Sequence, residues 1–266
     1  MSTASLAEAS LQATGITVGY GGKPPVLENL DFQVPAGQFT AIVGPNGCGK
    51  STLVKTLART LTPSAGHVSL NGRSLDRYRS KQIARRVALL PQDPVVPDGV
   101  TVRGLVARGR HPYHSALRQW VAGDDGKIAT AMAATDVTDL ADQPVAGLSG
   151  GQRQRAWIAM ILAQDTEYVL LDEPTSFLDL AHQIEVLTIC RRMRDERRSV
   201  VAVLHDLNQA ARYADQLVVL AGGNIIATGA PHKVLTAALV HEVFDLECEI
   251  FPDPQSSSPM VVPLAP

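Results

Sequence analysis

Lys50, Ser51, Asp172 and Glu173 are the side chains whose types and spacing point to phosphoryl chemistry. Lys50 and Ser51 close the stretch Gly44-Pro45-Asn46-Gly47-Cys48-Gly49-Lys50-Ser51-Thr52. Glycines there let successive backbone N–H groups turn inward around oxygen atoms, and some of the positions need positive φ. Lys50 then reaches the β- and γ-phosphates of a nucleotide as a point charge, and the Ser51 hydroxyl is placed to hold Mg²⁺. A glycine turn that merely caps a helix is the plain alternative. The setting argues for the phosphate loop: the apolar run Phe39 to Val43 reads as a buried strand before it, and Leu53 to Arg59 reads as a helix after it.

Asp172 and Glu173 end the apolar run Tyr168-Val169-Leu170-Leu171, which reads as another buried strand. Ligands of open α/β sheets lie beyond the carboxyl ends of the strands, so this spacing delivers both carboxylates to the edge that carries Lys50. Asp172 would bind Mg²⁺ through Ser51 and water, and Glu173 would polarise the attacking water as general base. A third constellation is Leu148-Ser149-Gly150-Gly151-Gln152. Ser149 and Gln152 have the spacing of a capping box. That spacing leaves Gly150 and Gly151 unexplained, because each weakens a helix by about 1 kcal/mol. Both make sense if a terminal phosphate approaches the helix N-terminus and the Ser149 hydroxyl.

The elements that must position these residues alternate. Leu11 to Tyr20 reads as a strand, and Asn29 to Val34 with Gln38 to Val43 reads as a hairpin across Pro35-Ala36-Gly37. Further strands are expected at His67 to Leu70, Val87 to Leu90, Ser199 to Leu204, Gln216 to Leu220 and Ile225 to Thr228. Helices are expected at Ile83 to Arg86, Val102 to Arg108, Asp124 to Thr135, Asp136 to Leu140, Ala156 to Gln164, Leu180 to Met193 and Leu207 to Tyr213. A proline-rich loop at Asp93 opens an inserted helical region that runs to about Gly147. Alternating buried strands and helices imply a parallel sheet with covered faces. The Pro- and Ser-rich tail from Phe251 reads as surface.

The 266 residues carry a net charge of −2, with no basic excess to mark a nucleic-acid binder. The one dense basic run, Arg191 to Arg198, suits the end of a helix, where cations complement the dipole. Cys48, Cys190 and Cys248 have neither metal nor disulfide spacing, which fits a reducing compartment. At a helix N-terminus Cys48 is either a favoured thiolate or a small tolerated residue. The start of the chain has no signal-peptide pattern, and no apolar run approaches the roughly 18 residues that span a bilayer.

Gly44 to Thr52, Gln92, Leu148 to Gln152, Leu170 to Glu173, Ser176 to Asp179 and His205 occur in the order seen in ABC-transporter ATPase subunits. The chain resembles that family over nearly its whole length. The resemblance implies an α/β fold: a RecA-like phosphate-loop ATPase core with an antiparallel β subdomain (residues 1–92 and 155–250), an inserted helical subdomain (93–154) and a C-terminal surface tail (251–266). It implies a head-to-tail homodimer with ATP and Mg²⁺ between the phosphate loop of one subunit and Ser149 to Gln152 of the other. Tyr20 would stack on adenine, Gln92 would sense Mg²⁺ and the water, and His205 would contact the γ-phosphate. Asp179 would reach across the dimer, or would simply cap the helix from Leu180. Phe177 stands where many members have a smaller residue. Ser176-Phe177-Leu178-Asp179 before Leu180-Ala181-His182-Gln183, Gly109-Arg110-His111-Pro112-Tyr113, and the ending Pro252-Asp253-Pro254 with Pro259 to Pro263 are similar to the branch serving importers of iron–siderophore, haem or cobalamin. That branch implies permease partners, an extracytoplasmic substrate-binding protein and a peripheral place on the cytoplasmic face of the membrane. A soluble ABC ATPase and a phosphate-loop kinase are the rival classes.

Overall fold

Two kinds of apolar pattern sort the strands into two main sheets. The computed structural model describes residues 10–96, 98–115 and 121–265. Readings that touch residues 1–9, Pro97, 116–120 or Pro266 lie outside these. In chain order the elements are β1 (Leu11–Val18), β2 (Leu27–Gln33), β3 (Phe39–Val43), α1 (Lys50–Leu57), β4 (Ala65–Leu70), β5 (Arg73–Ser74), α2 (Ser80–Ala84), β6 (Val87–Leu90), α3 (Val102–Arg108), α4 (Asp124–Ala134) and α5 (Gly150–Gln164). Then follow β7 (Tyr168–Leu171), α6 (Leu180–Asp195), β8 (Ser199–Val203), α7 (Leu207–Tyr213), β9 (Gln216–Ala221), β10 (Asn224–Gly229), α8 (Pro231–Val234), α9 (Ala237–Phe244), β11 (Cys248–Pro252) and β12 (Pro259–Pro263).

Every residue of β3, β7 and β8 is buried, so these strands need cover on both faces. They lie inside a six-stranded sheet of order β10-β9-β3-β8-β7-β6. Alternate side chains point to opposite faces. Phe39, Ala41, Val43, Val169 and Leu171 pack with the helices α3 to α7. Ile42, Tyr168 and Leu170 face α1 and the second sheet. That sheet is antiparallel, ordered β2-β1-β4-β5, and its β1 and β2 alternate buried with exposed positions. The pairs β3–β8, β8–β7 and β7–β6 are all parallel. Their carboxyl ends therefore form one continuous edge, from which residues 44–52, His205, Asp172–Glu173 and Gln92 emerge.

Four expectations are corrected. The stretches on either side of residues 35–37 are not a hairpin. β2 pairs with β1, and β3 pairs with β8 and β9 in the other sheet. The reason is visible in the burial: β2 shows one face to solvent and β3 shows neither. The large sheet is not wholly parallel, because β10 returns antiparallel to β9 across a tight Gly222-Gly223 turn. Of the helix expected at residues 136–140, only a single 3₁₀ turn at Thr138–Leu140 forms, separate from α4. Asp136 takes φ 54° and the Val137 N–H donates to the Met132 carbonyl, a left-handed stop. The segment from residue 251 is more than a surface tail. β11 and β12 pair in register, Val261 is buried, and Asn208 of α7 hydrogen-bonds both backbone groups of Val261. The helices α8 and α9 were not anticipated, although Thr236 accepts from the Leu239 N–H as an ordinary N-cap.

Residues 109–113 are occupied within the chain. A β-carbon at Gly109 would lie 2.3 Å from the Met160 carbonyl oxygen. Arg110 donates to the Ala163 carbonyl and Tyr113 to the Gln164 carbonyl, neutralising the C-terminal end of α5. Gly109→Ala is expected to lower stability by about 1–3 kcal/mol, measured by urea unfolding, because backbone rather than a movable side chain stands in the way.

Asp124, 1% exposed, opens α4 and accepts from Arg110 at 2.8 Å, from the Val121 N–H at 3.0 Å, and lies 2.9 Å from His114 Nε2. Burial pushes its carboxyl up, but the bonds from Arg110, His114 and Val121 prevail and hold it at about 2 against an ordinary 3.8. A folded pKa below the unfolded one stabilises above the unfolded value. This contribution is therefore expected to be intact above about pH 4 and lost as pH falls toward 2. Asp124→Asn should flatten that acid limb in thermal melts.

Candidate functional site

The loop between β3 and α1 is shaped by contacts that forbid side chains. A β-carbon at Gly44 would fall 2.0 Å from the Leu220 carbonyl oxygen. Gly49 caps α1 at φ 109°, and a β-carbon there would meet Leu27 at 2.5 Å. Lys50 is 5% exposed and donates to the Gly44 and Pro45 carbonyls, both at 2.8 Å. The ammonium is thus pinned at the mouth of the loop. A cavity of about 290 Å³ is lined by Tyr20, Val26, Asn46, Gly47, Gly49, Lys50, Ser51, Thr52 and Glu173. Tyr20 is 45% exposed, and its hydroxyl is 3.2 Å from Thr52 Oγ1, which orients the ring over this opening.

Ser51 Oγ donates to Asp172 Oδ1 at 2.6 Å, across 121 residues of sequence. Asp172 Oδ2 is buried without a hydrogen-bond partner, with Lys55 Nζ 3.9 Å away. Burial raises the Asp172 carboxyl, opposed by Ser51 and Lys55. A hydroxyl and an orphaned carboxylate oxygen are hard donors that suit Mg²⁺. Among the described residues no cluster of three His, Cys, Asp or Glu stands ready for a metal. A cation here would therefore depend on phosphate and water oxygens for the rest of its shell.

Glu173 takes φ 54°, an uncommon conformation for a residue with a β-carbon. Three donors converge on its carboxylate. His205 Nε2 lies 2.9 Å from Oε1, while Gln92 Nε2 and Ser176 Oγ each lie 2.9 Å from Oε2. Ser176 was not singled out as a site residue, though its place three residues after Glu173 was a usable signal.

Other expected residues lie apart. Ser149 and Gln152 form the capping box of α5, with Gln152 N–H to Ser149 Oγ at 3.3 Å and Ser149 N–H to Gln152 Oε1 at 3.1 Å. Neither lines the cavity at Lys50. Gly150 instead borders a cleft of about 280 Å³ shared with Gln92, Asp93, Val96, Trp157, Glu173 and Phe177. Asp179 caps α6 through the His182 N–H and is otherwise exposed. Phe177 is 93% exposed.

Cys48 is buried, and that burial raises its thiol despite the nearby Lys50 ammonium. The favoured-thiolate alternative therefore loses its basis. Maleimide should label Cys48 far more slowly than a free thiol peptide at neutral pH, and equal rates would contradict this.

A strand-edge phosphate loop, paired carboxylates beyond a neighbouring strand and a helical insertion define a phosphate-loop ATPase cassette. The family model described as ABC transporter matches residues 27–176, and the chain belongs to the ABC transporter family as an ATP-binding, ATP-hydrolysing subunit. It is 51% identical to the ferric enterobactin transport ATP-binding protein FepC of Escherichia coli, over 96% of this chain and 94% of the relative. It is 44% identical to the hemin import ATP-binding protein HmuV of Nocardia farcinica, over 97% and 90%. Among solved structures, a chain from an inward-facing transporter described as of the metal-chelate type superposes with a TM-score of 0.81. It is 27% identical, with 97% of this chain and 98% of that one covered.

Proposed function

We propose that this chain is the motor of an importer for ferric siderophores, held peripherally at the cytoplasmic face of the membrane by permease subunits. The observation that carries the cargo is the 51% identity to a ferric enterobactin transport protein across nearly the full length of both chains. The hemin relative at 44% keeps haem as the second reading. Among the described residues no helix is long and apolar enough to cross a membrane, and in this reading the permease is the partner that holds the chain there. That partner is expected in the cleft of Gln92, Asp93, Pro94 and Val96, beside the exposed Val95.

In this reading Tyr20 stacks on adenine, and the loop from Gly44 to Thr52 encloses the phosphates. Lys50 shifts from the Gly44 and Pro45 carbonyls to phosphate oxygens. Ser51, Asp172 and Gln92 would hold Mg²⁺, which supplies charge neutralisation at the β- and γ-phosphates when bound. Glu173 takes a proton from the attacking water as general base, and His205 steadies both this carboxylate and the terminal phosphate. Two copies meet head to tail. Ser149, Gly150, Gly151 and Gln152 of one close over the phosphate held by the other, with Asp179 at the same boundary. Loss of that phosphate removes the shared contacts and the pair loosens. Residues 93–154 would move as the helical subdomain against the core at 1–92 and 155–250.

Purification of the membrane partner followed by ATP-driven uptake tests the whole reading. Ferric siderophore, with ferric enterobactin as the first probe, should accumulate in vesicles or cells carrying the complex. Uptake of haem alone, or of cobalamin alone, would reassign the cargo. Recovery on ribosomes or DNA with no membrane partner would reassign the class.

A further inference from the structure

Gly150 and Gly151 were both expected to make room for phosphate, but they face different surroundings. A β-carbon added at Gly150 meets nothing within 4 Å. One added at Gly151 would fall 2.4 Å from Cδ2, 2.7 Å from Cγ and 2.8 Å from Nε2 of His182. The imidazole, 31 positions along the chain, already fills the space that a side chain at 151 would need.

The ring is held on its other side by a hydrogen bond that stepping aside would break. Its Nδ1 lies 2.7 Å from Asp179 Oδ1, and the same oxygen accepts the His182 backbone N–H at 3.0 Å. A carboxylate accepts only, so Nδ1 carries the proton and donates it. Displacing the ring breaks that bond and leaves Asp179 held by the His182 backbone N–H alone. A second link runs in parallel: Gln154 Nε2, one turn further along α5, donates to the Pro174 carbonyl at 2.8 Å. The first turns of α5 are thereby fastened to the segment that follows β7 and carries the Glu173 carboxylate.

We infer that His182 is a positioning residue that ties the first turn of α5 to the Asp179 carboxylate, with Gly151 serving as the notch that admits its ring. A shift of Ser149 and Gly150 on meeting a phosphate is then passed to Asp179 within the same chain. Gly150 alone remains the glycine whose missing side chain leaves an open approach. The coupling rests on the dimer reading above. The notch is a property of a single chain and stands without it.

The experiment compares full-length wild type, Gly151→Ala, Gly150→Ala, His182→Ala, His182→Asn and the double variants that join His182→Ala to each glycine change, by thermal melting and steady-state ATP hydrolysis. Gly151→Ala is expected to lower the melting temperature and to cut kcat by about tenfold, through overpacking against a held ring. Adding His182→Ala should bring both values back to the His182→Ala level, because removal of the ring removes the clash. A double variant as impaired as Gly151→Ala overturns the notch. Gly150→Ala should lose hydrolysis with no recovery from His182→Ala, and recovery there also counts against the notch. His182→Asn offers an amide donor where Nδ1 stood, so it should recover more kcat than His182→Ala at an unchanged KM. Equal rates for the two overturn the tie to Asp179. If hydrolysis proves indifferent to Ser149, the dimer reading fails, and the melting temperatures still decide the notch.

Discussion

Glu173→Gln keeps ATP binding and lowers turnover by about a thousandfold, the scale of losing a general base together with the charge it brings to the reacting water. The geometry explains why the loss is so complete. The wild-type carboxylate accepts from His205, Gln92 and Ser176 at once. An amide keeps the shape but presents an N–H₂ to at least one of those donors, so the cage is frustrated as well as uncharged. It also cannot take a proton from water. Removing a negative charge beside the terminal phosphate favours the closed, ATP-filled pair, so the variant should elute as a dimer in ATP and as a monomer without it. Phosphate release together with size-exclusion chromatography checks both halves. Turnover near wild type would remove Glu173 from the base role.

Ser149→Arg is expected to abolish hydrolysis while the isolated chain binds ATP as before. Ser149 is exposed and lies outside the cavity formed by Tyr20 and the loop, so a long cation there cannot obstruct binding within one chain. The change costs the α5 cap about 1 kcal/mol, which a cassette of this size tolerates. In the proposed head-to-tail pair its effect falls where the second copy closes over the phosphate. Mixing provides the sharper measurement. On that arrangement, chains carrying Ser149→Arg should be inactive through one half of a composite site, and chains carrying Lys50→Ala through the other. A mixed dimer holds one site built from two intact halves, so combining the two inactive preparations should restore activity. Mixtures that stay silent, or Ser149→Arg chains that fail to bind ATP as monomers, would place Ser149 in its own chain's site.

The strand-edge motifs were legible because their information is local. A buried apolar run followed by glycines and a lysine, or by two carboxylates, specifies strand, turn and site within ten residues. The capping box of α5 and the Asp179 cap of α6 were legible for the same reason, since both join residues three apart. The false hairpin at residues 35–37 shows where local information stops. Two strands joined by a short turn have a strong prior for pairing, and only the competition among all strands for two-sided burial sends β3 to the other sheet.

By itself, the sequence determined the chemistry of each piece: a loop that can cradle phosphate, a carboxylate that can serve as base, and a helix start open to an anion. Tertiary structure alone decided which pieces meet. It put Ser51 against Asp172, gathered Gln92, Ser176 and His205 on Glu173, and gave Gly151 to His182 rather than to open space. Strand order and helix packing set those meetings. They depend on burying the whole apolar surface at once, a sum over distant residues that no short stretch of the chain contains.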